Sequence, residues 1–481
     1  MQRRRTIYFN DTRHFYLYAL EPPLSMEELW LPVDEVAGTS VDTFALAVEG
    51  GAGLFYPTRA GDRFTDRQEV GSYTWRAVKI LEDLDERGID LLAALIDRAH
   101  ARGLDFFASL RMHGHQTMDP AIQVRNGGIG LGDEGVRDHL LGVIRELLTS
   151  YDTEGIELDL AAPGGTAFHF PVDQGPEYAP LLTEYLAGIA AIARSRSGEP
   201  ALLGVRVYPT EAMNRRHGMD VRAWLAEGIV DWVMPMFYPY FVLDCDMPIE
   251  WLTAAAAAAG VSVYARLQPW IRDESTGALE RIHADPETLR GAACNFLDKG
   301  CDGIYAHSMS WPLGELERGV LTELGHPEVM AGRSKRYLPR RRQEEAAALG
   351  YDAALPFEIA GTGPEAGRAV TLYIADDLPD AVNRIERVTL TIGARNTVAA
   401  DTFNLRVNGT PGGGQPVSIR PRDPLTPYNG LTRRWIMDPH PFRRGANSLE
   451  LVLASRPADL EGAVSIEEIE LFVEYKLHVP G

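Results

Sequence analysis

The feature that most constrains this chain is an alternation. Short apolar runs, each followed by a longer amphipathic stretch, occur eight times between residues 6 and 307. The runs cover 6–10, 43–49, 105–112, 155–160, 202–208, 231–238, 261–267 and 303–307. They are rich in Val, Ile, Phe and Tyr, and their length suits parallel strands buried on both faces. The intervening segments 90–102, 134–148, 180–193 and 286–299 carry the helical period instead. In the first of these, Leu91, Leu92, Leu95, Ile96 and Ala99 share one face. Asp285 and Pro286 supply an N-cap and a first-turn proline. Gly103, Gly260 and Gly300 stand where helices should stop in a left-handed turn. Eight such units predict a closed (β/α)₈ barrel, a TIM barrel, over roughly residues 5–325. An open doubly wound sheet usually carries a glycine-rich phosphate turn after its first strand, and this sequence has none. The alanine run 254–259 reads as a tightly packed helix face.

The pattern changes near residue 330. Residues 333–342 (RSKRYLPRRR) are basic and read as a solvated linker, with Glu344 and Glu345 as counter-charges. Period-two alternation follows at 368–375, 387–392, 401–407, 416–419, 432–437, 448–453 and 467–475, with turns at Asn408-Gly409 and 412–414. That predicts an antiparallel, jelly-roll-like β-sandwich. The 481 residues exceed one hydrophobic core. The expected organisation is therefore a barrel at 1–330, a linker at 331–345 and a sandwich at 346–481. No cluster of aromatics marks a binding face on the sandwich beyond Tyr428 and Trp435, so packing is its expected role.

A formal charge of −21 argues against a nucleic-acid partner, which needs surplus Lys and Arg. No run of 18 apolar residues is present, so no membrane-spanning helix is expected. Cys245, Cys294 and Cys301 form neither a disulfide framework nor a zinc-finger spacing. The basic N-terminus lacks the apolar core of a signal peptide, which makes the cytoplasm the expected location of the chain as it stands. No cofactor is expected, and a homo-oligomer stays open.

Barrel enzymes carry their chemistry at the C-terminal ends of the strands and in the loops that follow. Those positions hold Asn10 and Asp11; Glu49; Arg111, His113 and His115; Glu157 and Asp159; Arg206 and Tyr208; Tyr238, Asp244 and Asp246; Arg266, Gln268 and Trp270; His307 and Trp311. The mixture of carboxylates, arginines and aromatics suits carbohydrate. Hydroxyl groups need fixed donors and acceptors, ring faces stack on aromatics, and bond cleavage needs paired carboxyl groups. The sharpest motif is Gly155-Ile156-Glu157-Leu158-Asp159. Period two turns both carboxylates the same way, into the barrel. Such groups either act on a ligand or anchor arginines such as Arg111 and Arg206.

The Gly-Ile-Glu-Leu-Asp strand, the Val-Met-Pro-Met-Phe-Tyr-Pro strand at 233–239 and the Gly-Cys-Asp-Gly-Ile-Tyr segment at 300–305 resemble strands of glycoside hydrolase barrels. They are most similar to uncharacterised bacterial family 10-like glycosyl hydrolases, and more distantly to family 18 barrels. The resemblance implies hydrolysis of O-glycosidic bonds in an oligo- or polysaccharide. Two departures limit what transfers. Ala161 stands where family 18 places its acid, and the seventh strand ends in Arg266 and Gln268 where family 10 places a nucleophile. Three pairings stay open: Asp159 with Asp244 or Asp246, as in enzymes of the α-galactosidase kind; Asp159 with Glu49; and Glu157 with Asp159. Asp246 is equally readable as a helix cap. The remaining rim residues, Asp11, Arg111, His113, His115, Arg206, Tyr238, Arg266, Trp270, His307 and Trp311, are expected to bind substrate. Two alternatives accompany the glycosidase reading: a non-catalytic carbohydrate-binding protein on a degenerate barrel, and a metal-assisted hydrolase or lyase using His113 and His115.

Overall fold

The computed structural model describes residues 5–12, 16–50, 53–66, 70–112, 130–161, 170, 174–237, 242–273, 280–307, 309–341, 347 and 350–476. The chain forms two compact units. One gathers Met1–Tyr240, Pro248–Gln268 and Lys299–Gly325; the other gathers Phe241–Met247, Pro269–Asp298 and His326–Gly481.

The first unit contains the barrel. Its strands are β1 (Arg5–Asn10), β2 (Thr43–Ala47), β3 (Asp105–Arg111), β4 (Gly155–Asp159), β5 (Leu202–Val207), β6 (Trp232–Pro235), β7 (Ser262–Leu267) and β10 (Gly303–His307). A hairpin of β8 (Trp270–Asp273) and β9 (Glu280–His283) interrupts the count and belongs to the second unit. The barrel strands close in the order β1-β10-β7-β6-β5-β4-β3-β2. All eight expected strands are present, and every neighbouring pair is parallel.

The helices are α1 (Met26–Asp34), α2 (Ser72–Glu86), α3 (Leu91–Ala101), α4 (Glu134–Ser150), α5 (Gly175–Arg194), α6 (Glu211–Arg216), α7 (Val221–Ala226), α8 (Glu250–Ala259), α9 (Pro286–Asp298) and α10 (Glu315–Leu324). Helix α3 buries the face expected of it, Leu91, Leu92, Leu95, Ile96 and Ala99. The Asp90 carboxylate caps it, accepting from Leu92 N–H at 2.9 Å and Ala93 N–H at 3.2 Å. Gly260 ends α8 at φ 72°, a conformation that penalises any Cβ. The alanine run in α8 differs from expectation. Ala256 is buried, but Ala254 and residues 257–259 face solvent. Alanine favours the helix through its own backbone preference and needs no packing partner to do so.

Large rings fill the lower barrel where glycines make room. A Cβ on Gly155 would overlap the Phe107 ring, and one on Gly204 would overlap Trp232. With both absent, Phe107 and Trp232 meet edge to face at 5.6 Å. This apolar floor leaves the upper interior to polar groups.

In the second unit, β11 (Lys335–Tyr337), β12 (Phe357–Ile359), β14 (Ile385–Arg395), β17 (Ser418–Pro421), β18 (Leu431–Ile436) and β20 (Val464–Tyr475) form one antiparallel sheet. The other sheet has the order β13-β19-β15-β16, from β13 (Arg368–Ile374), β15 (Thr402–Val407), β16 (Thr410–Gly412) and β19 (Gly445–Ser455). Alternate residues of both sheets meet in a core that includes Leu372, Leu390, Leu405, Leu449 and Leu471. Trp435 lies in this core at 1% exposure and offers no surface platform; Tyr428 is 82% exposed.

Within the basic segment, Lys335–Tyr337 form strand β11, where a solvated connector was expected. Lys335 is buried and pairs with Asp376 at 3.0 Å, while Arg336 bridges Asp285 at 2.8 Å and Glu470 at 2.6 Å. Local charge density cannot distinguish a solvated run from a strand whose cations each find a carboxylate. Helix α9 lies against β11, where Gly291 leaves space for the Arg336 carbonyl. Asp285 caps this helix as expected, accepting from Thr288 N–H at 2.8 Å.

Candidate active site

The C-terminal ends of β3, β4 and β5 carry the polar centre of the barrel. Asp159 stands in register with Arg111 on β3 and with Arg206 on β5. Along β4 the side chains alternate, so Glu157 and Asp159 share the inner face; both are fully buried. Arg206 binds them together. Its Nε donates to Glu157 Oε1 at 2.6 Å, and its Nη1 donates to Asp159 Oδ2 at 2.9 Å. Its Nη2 reaches Ser109 Oγ at 3.1 Å, Tyr305 Oη at 3.2 Å and Glu157 Oε2 at 3.3 Å. The Tyr305 hydroxyl in turn donates to Glu157 Oε2 at 2.6 Å. The Phe9 ring lies 4.4 Å from the guanidinium carbon.

Burial alone would pull the Arg206 guanidinium down, but the Glu157 and Asp159 carboxylates outweigh it and hold the group well above its ordinary value. Burial, then the Glu157 charge, pushes the Tyr305 phenol up, so it stays a hydrogen-bond donor. Both Glu157 oxygens are occupied. Asp159 is different: Oδ2 is held by Arg206, while Oδ1 is buried and accepts no hydrogen bond among the described residues. An unsatisfied buried acceptor costs about 1–3 kcal/mol, more when charged, so such an atom calls for an explanation.

A second cluster repeats the motif of one arginine between two carboxylates. Arg111 donates through Nη2 to Asp11 Oδ2 at 2.6 Å and through Nη1 to Glu49 Oε1 at 3.1 Å. Asp11 and Glu49 are both fully buried. Arg266 contacts the Met236 sulfur and His307 Nδ1, and the His307 ring stacks on Phe9 at 4.7 Å. Among the described residues, these clusters hold four buried carboxylates and three buried arginines, a formal surplus of one negative charge.

The expected site residues therefore separate. Asp11, Glu49, Arg111, Glu157, Asp159, Arg206, Arg266 and His307 all belong to the barrel unit and form the contacts just described. Trp311 is also in this unit, its indole N–H buried and without a hydrogen-bond partner among the described residues. Asp246 and Trp270 belong to the second unit. There Asp244 accepts from Asp246 N–H at 2.9 Å, from Arg340 Nε at 2.9 Å and from the Tyr351 hydroxyl, which makes this segment a braced turn. Trp270 pairs in the β8–β9 hairpin and packs on His283 at 4.0 Å. His113, His115 and Tyr238 lie outside the described residues. Among the described residues, no group of three or more His, Cys, Asp or Glu could hold a metal.

Three members of the network were not anticipated: Ser109, Tyr305 and Phe9. Each shares an inward register with an anticipated residue, Ser109 with Arg111, Tyr305 with His307, and Phe9 with Asp11. Period two on β3, β10 and β1 was the available signal. Glu35 was also missed. It sits just past α1, where burial pushes its carboxyl up to about 7, against the opposing pull of Leu313 N–H and Arg318.

No protein-family model matches the sequence, and no curated protein matches it. Among solved structures, a cycloisomaltooligosaccharide glucanotransferase from Paenibacillus sp. is similar at 10% identity and TM-score 0.36, covering 97% of this chain and 57% of that one. Alpha-L-fucosidase isoenzyme 2 from Paenibacillus thiaminolyticus is similar at 12% identity and TM-score 0.43, over 70% of this chain and 51% of that one. An alpha-L-fucosidase from Bacteroides thetaiotaomicron is similar at 10% identity and TM-score 0.38, over 93% and 92%. The chain spans about half the length of the first two of these structures.

Proposed function

We propose that the barrel is a glycoside hydrolase acting on O-glycosidic bonds, with Asp159 as its catalytic carboxylate. The observation that carries this reading is the buried Oδ1 of Asp159 at the C-terminal end of a barrel strand, which has no hydrogen-bond partner among the described residues. One oxygen is clamped and the other is directed by that clamp, a suitable state for a nucleophile or a general base. Glu157, saturated by Arg206 and Tyr305, is a positioning residue. Glu49 is the preferred second carboxylate. It lies two residues beyond β2, with only β3 between β2 and β4. Two strand spacings are about 10 Å between backbones, from which carboxyl groups can converge on one glycosidic bond. The surplus negative charge favours the positive charge that develops on a sugar ring during cleavage. The likeness of the β4 and β6 motifs to family 10-like glycosyl hydrolases points the same way.

The test is turnover by wild-type and Asp159→Asn protein across a panel of aryl glycosides and neutral oligosaccharides. Activity in the wild type that disappears in the variant, with an unchanged melting temperature, is expected. Equal activity in both would overturn the assignment.

One observation favours a second reading, a carbohydrate-binding barrel without catalysis. Each inward carboxylate already has an arginine partner. Saturable glycan binding with no hydrolysis on any panel member would select it.

A further inference from the structure

The outer face of the four-stranded sheet in the second unit carries a groove of about 560 Å³. Its apolar floor is Val452 on β19, and Pro364 and Pro411 also line it. Four side chains with planar polar groups line it as well: Asn404, Arg406, Gln415 and Glu450.

Arg406 and Glu450 are directly opposite across the β15–β19 pair. Opposite charges in that arrangement ordinarily pair. Here they do not. Arg406 turns to the Gly409 carbonyl, through Nε at 3.4 Å and Nη2 at 3.2 Å. Glu450, Asn404 and Gln415 make no side-chain hydrogen bond among the described residues. The face therefore presents a carboxylate, two amides and part of a guanidinium, spaced over an apolar floor and held on sheet backbone.

We propose that this groove is a binding site for a short neutral oligosaccharide, separate from the barrel and independent of its chemistry. The volume lies in the range of small-ligand sites, about 300–1,000 Å³. One cation and one anion leave no net charge to select a phosphate or an acidic sugar. Amide and carboxylate groups offer adjacent donors and acceptors in fixed planes, which match the paired hydroxyl groups of a sugar ring. The apolar floor suits the ring's C–H face. A peptide strand would instead add to a sheet edge, whereas this groove lies on a sheet face.

The experiment uses the full chain carrying Asp159→Asn, so that probes are not consumed. Maltohexaose, cellohexaose, xylohexaose and chitohexaose are titrated by calorimetry, with hexagalacturonic acid as the charged comparison. At least one neutral probe is expected to bind. Its affinity should fall by roughly tenfold or more in Glu450→Ala and in Arg406→Ala, since each removes hydrogen bonds to the ligand. Both positions are on a solvent-facing sheet surface, so melting temperatures should match the parent. The proposal fails if no neutral probe binds, if only the acidic probe binds, or if binding is unchanged in both variants, which would place it in the barrel.

Discussion

The Tyr305 hydroxyl donates to Glu157 Oε2 at 2.6 Å from β10, four strands away from β4 in the closed ring and so on the opposite wall of the barrel. The bond ties two walls together through the interior. Tyr305→Phe leaves Glu157 Oε2 with only the 3.3 Å contact from Arg206. Loss of one hydrogen bond to a buried charge should lower stability by about 1–3 kcal/mol, read from the urea midpoint at constant slope. An unchanged midpoint would mean that the bond contributes nothing net.

Arg206→Leu is the harsher change. It removes the guanidinium that bridges the buried Glu157 and Asp159 carboxylates. A cost of about 3–5 kcal/mol is expected. Urea melts of parent and variant would show this, and equal midpoints would contradict it.

The barrel and its central motif were legible because they rest on strong periodic signals. Parallel strands buried on both faces read as continuous apolar runs, and a charged residue inside such a run, as at Glu157, has few bland explanations. Tyr305 and Ser109 were not legible as site members, because Tyr and Ser are ordinary barrel-interior residues until a carboxylate is found beside them. The β8–β9 hairpin was missed for another reason. Each of its strands has only 4 residues and mixes charges with one or two apolar side chains, too short a run to carry a periodic signal. Asp246 and Trp270 follow barrel strands in sequence yet belong to the second compact unit, because nearness in sequence carries no information about which unit a loop joins. Trp435 misled through its neighbour. Arg433 shares its inward register on β18 and is itself buried over Phe403 at 4.9 Å, so the strand looks like a solvent face.

Glu35 should make stability depend on pH. Its folded value, about 7, lies above the ordinary 4.5 because burial disfavours its charged form. A raised folded value means the contribution is complete below about 4.5 and is lost as pH rises through about 7. The loss should be on the order of 3 kcal/mol. Glu35→Gln carries no such charge, so the stability difference between parent and variant should change between about pH 4.5 and about pH 8 and be flat beyond. A constant difference across that range would place Glu35 in a better-solvated setting.

Gly204 should tolerate no side chain while Trp232 is present. A Cβ at position 204 overlaps the indole, so Gly204→Ala forces the ring against Phe107 and Tyr264. Overpacking of this kind costs about 1–3 kcal/mol. Trp232→Phe makes room, and the double variant should recover part of the loss. A double-mutant cycle with no coupling would show that the floor adjusts elsewhere.

The two β4 carboxylates should respond in opposite ways when their charge is removed. Glu157→Gln weakens two strong contacts, from Arg206 Nε and the Tyr305 hydroxyl, and offers an amide N–H₂ where donors already converge. It should lower the melting temperature clearly and reduce turnover partly, through displaced neighbours. Asp159→Asn loses one charged contact to Arg206, but also relieves a buried oxygen that has no donor. The two effects oppose each other, so its stability should stay within about 1 kcal/mol of the parent. Turnover should vanish nonetheless if Oδ1 attacks the sugar or activates water. Residues shaped for chemistry are held in states that the fold alone would not choose, and their neutral isosteres tend to be at least as stable. Calorimetric melting and turnover measured on both variants therefore separate a catalyst from a support. Strong destabilisation by Asp159→Asn, with residual turnover, would reverse the two assignments.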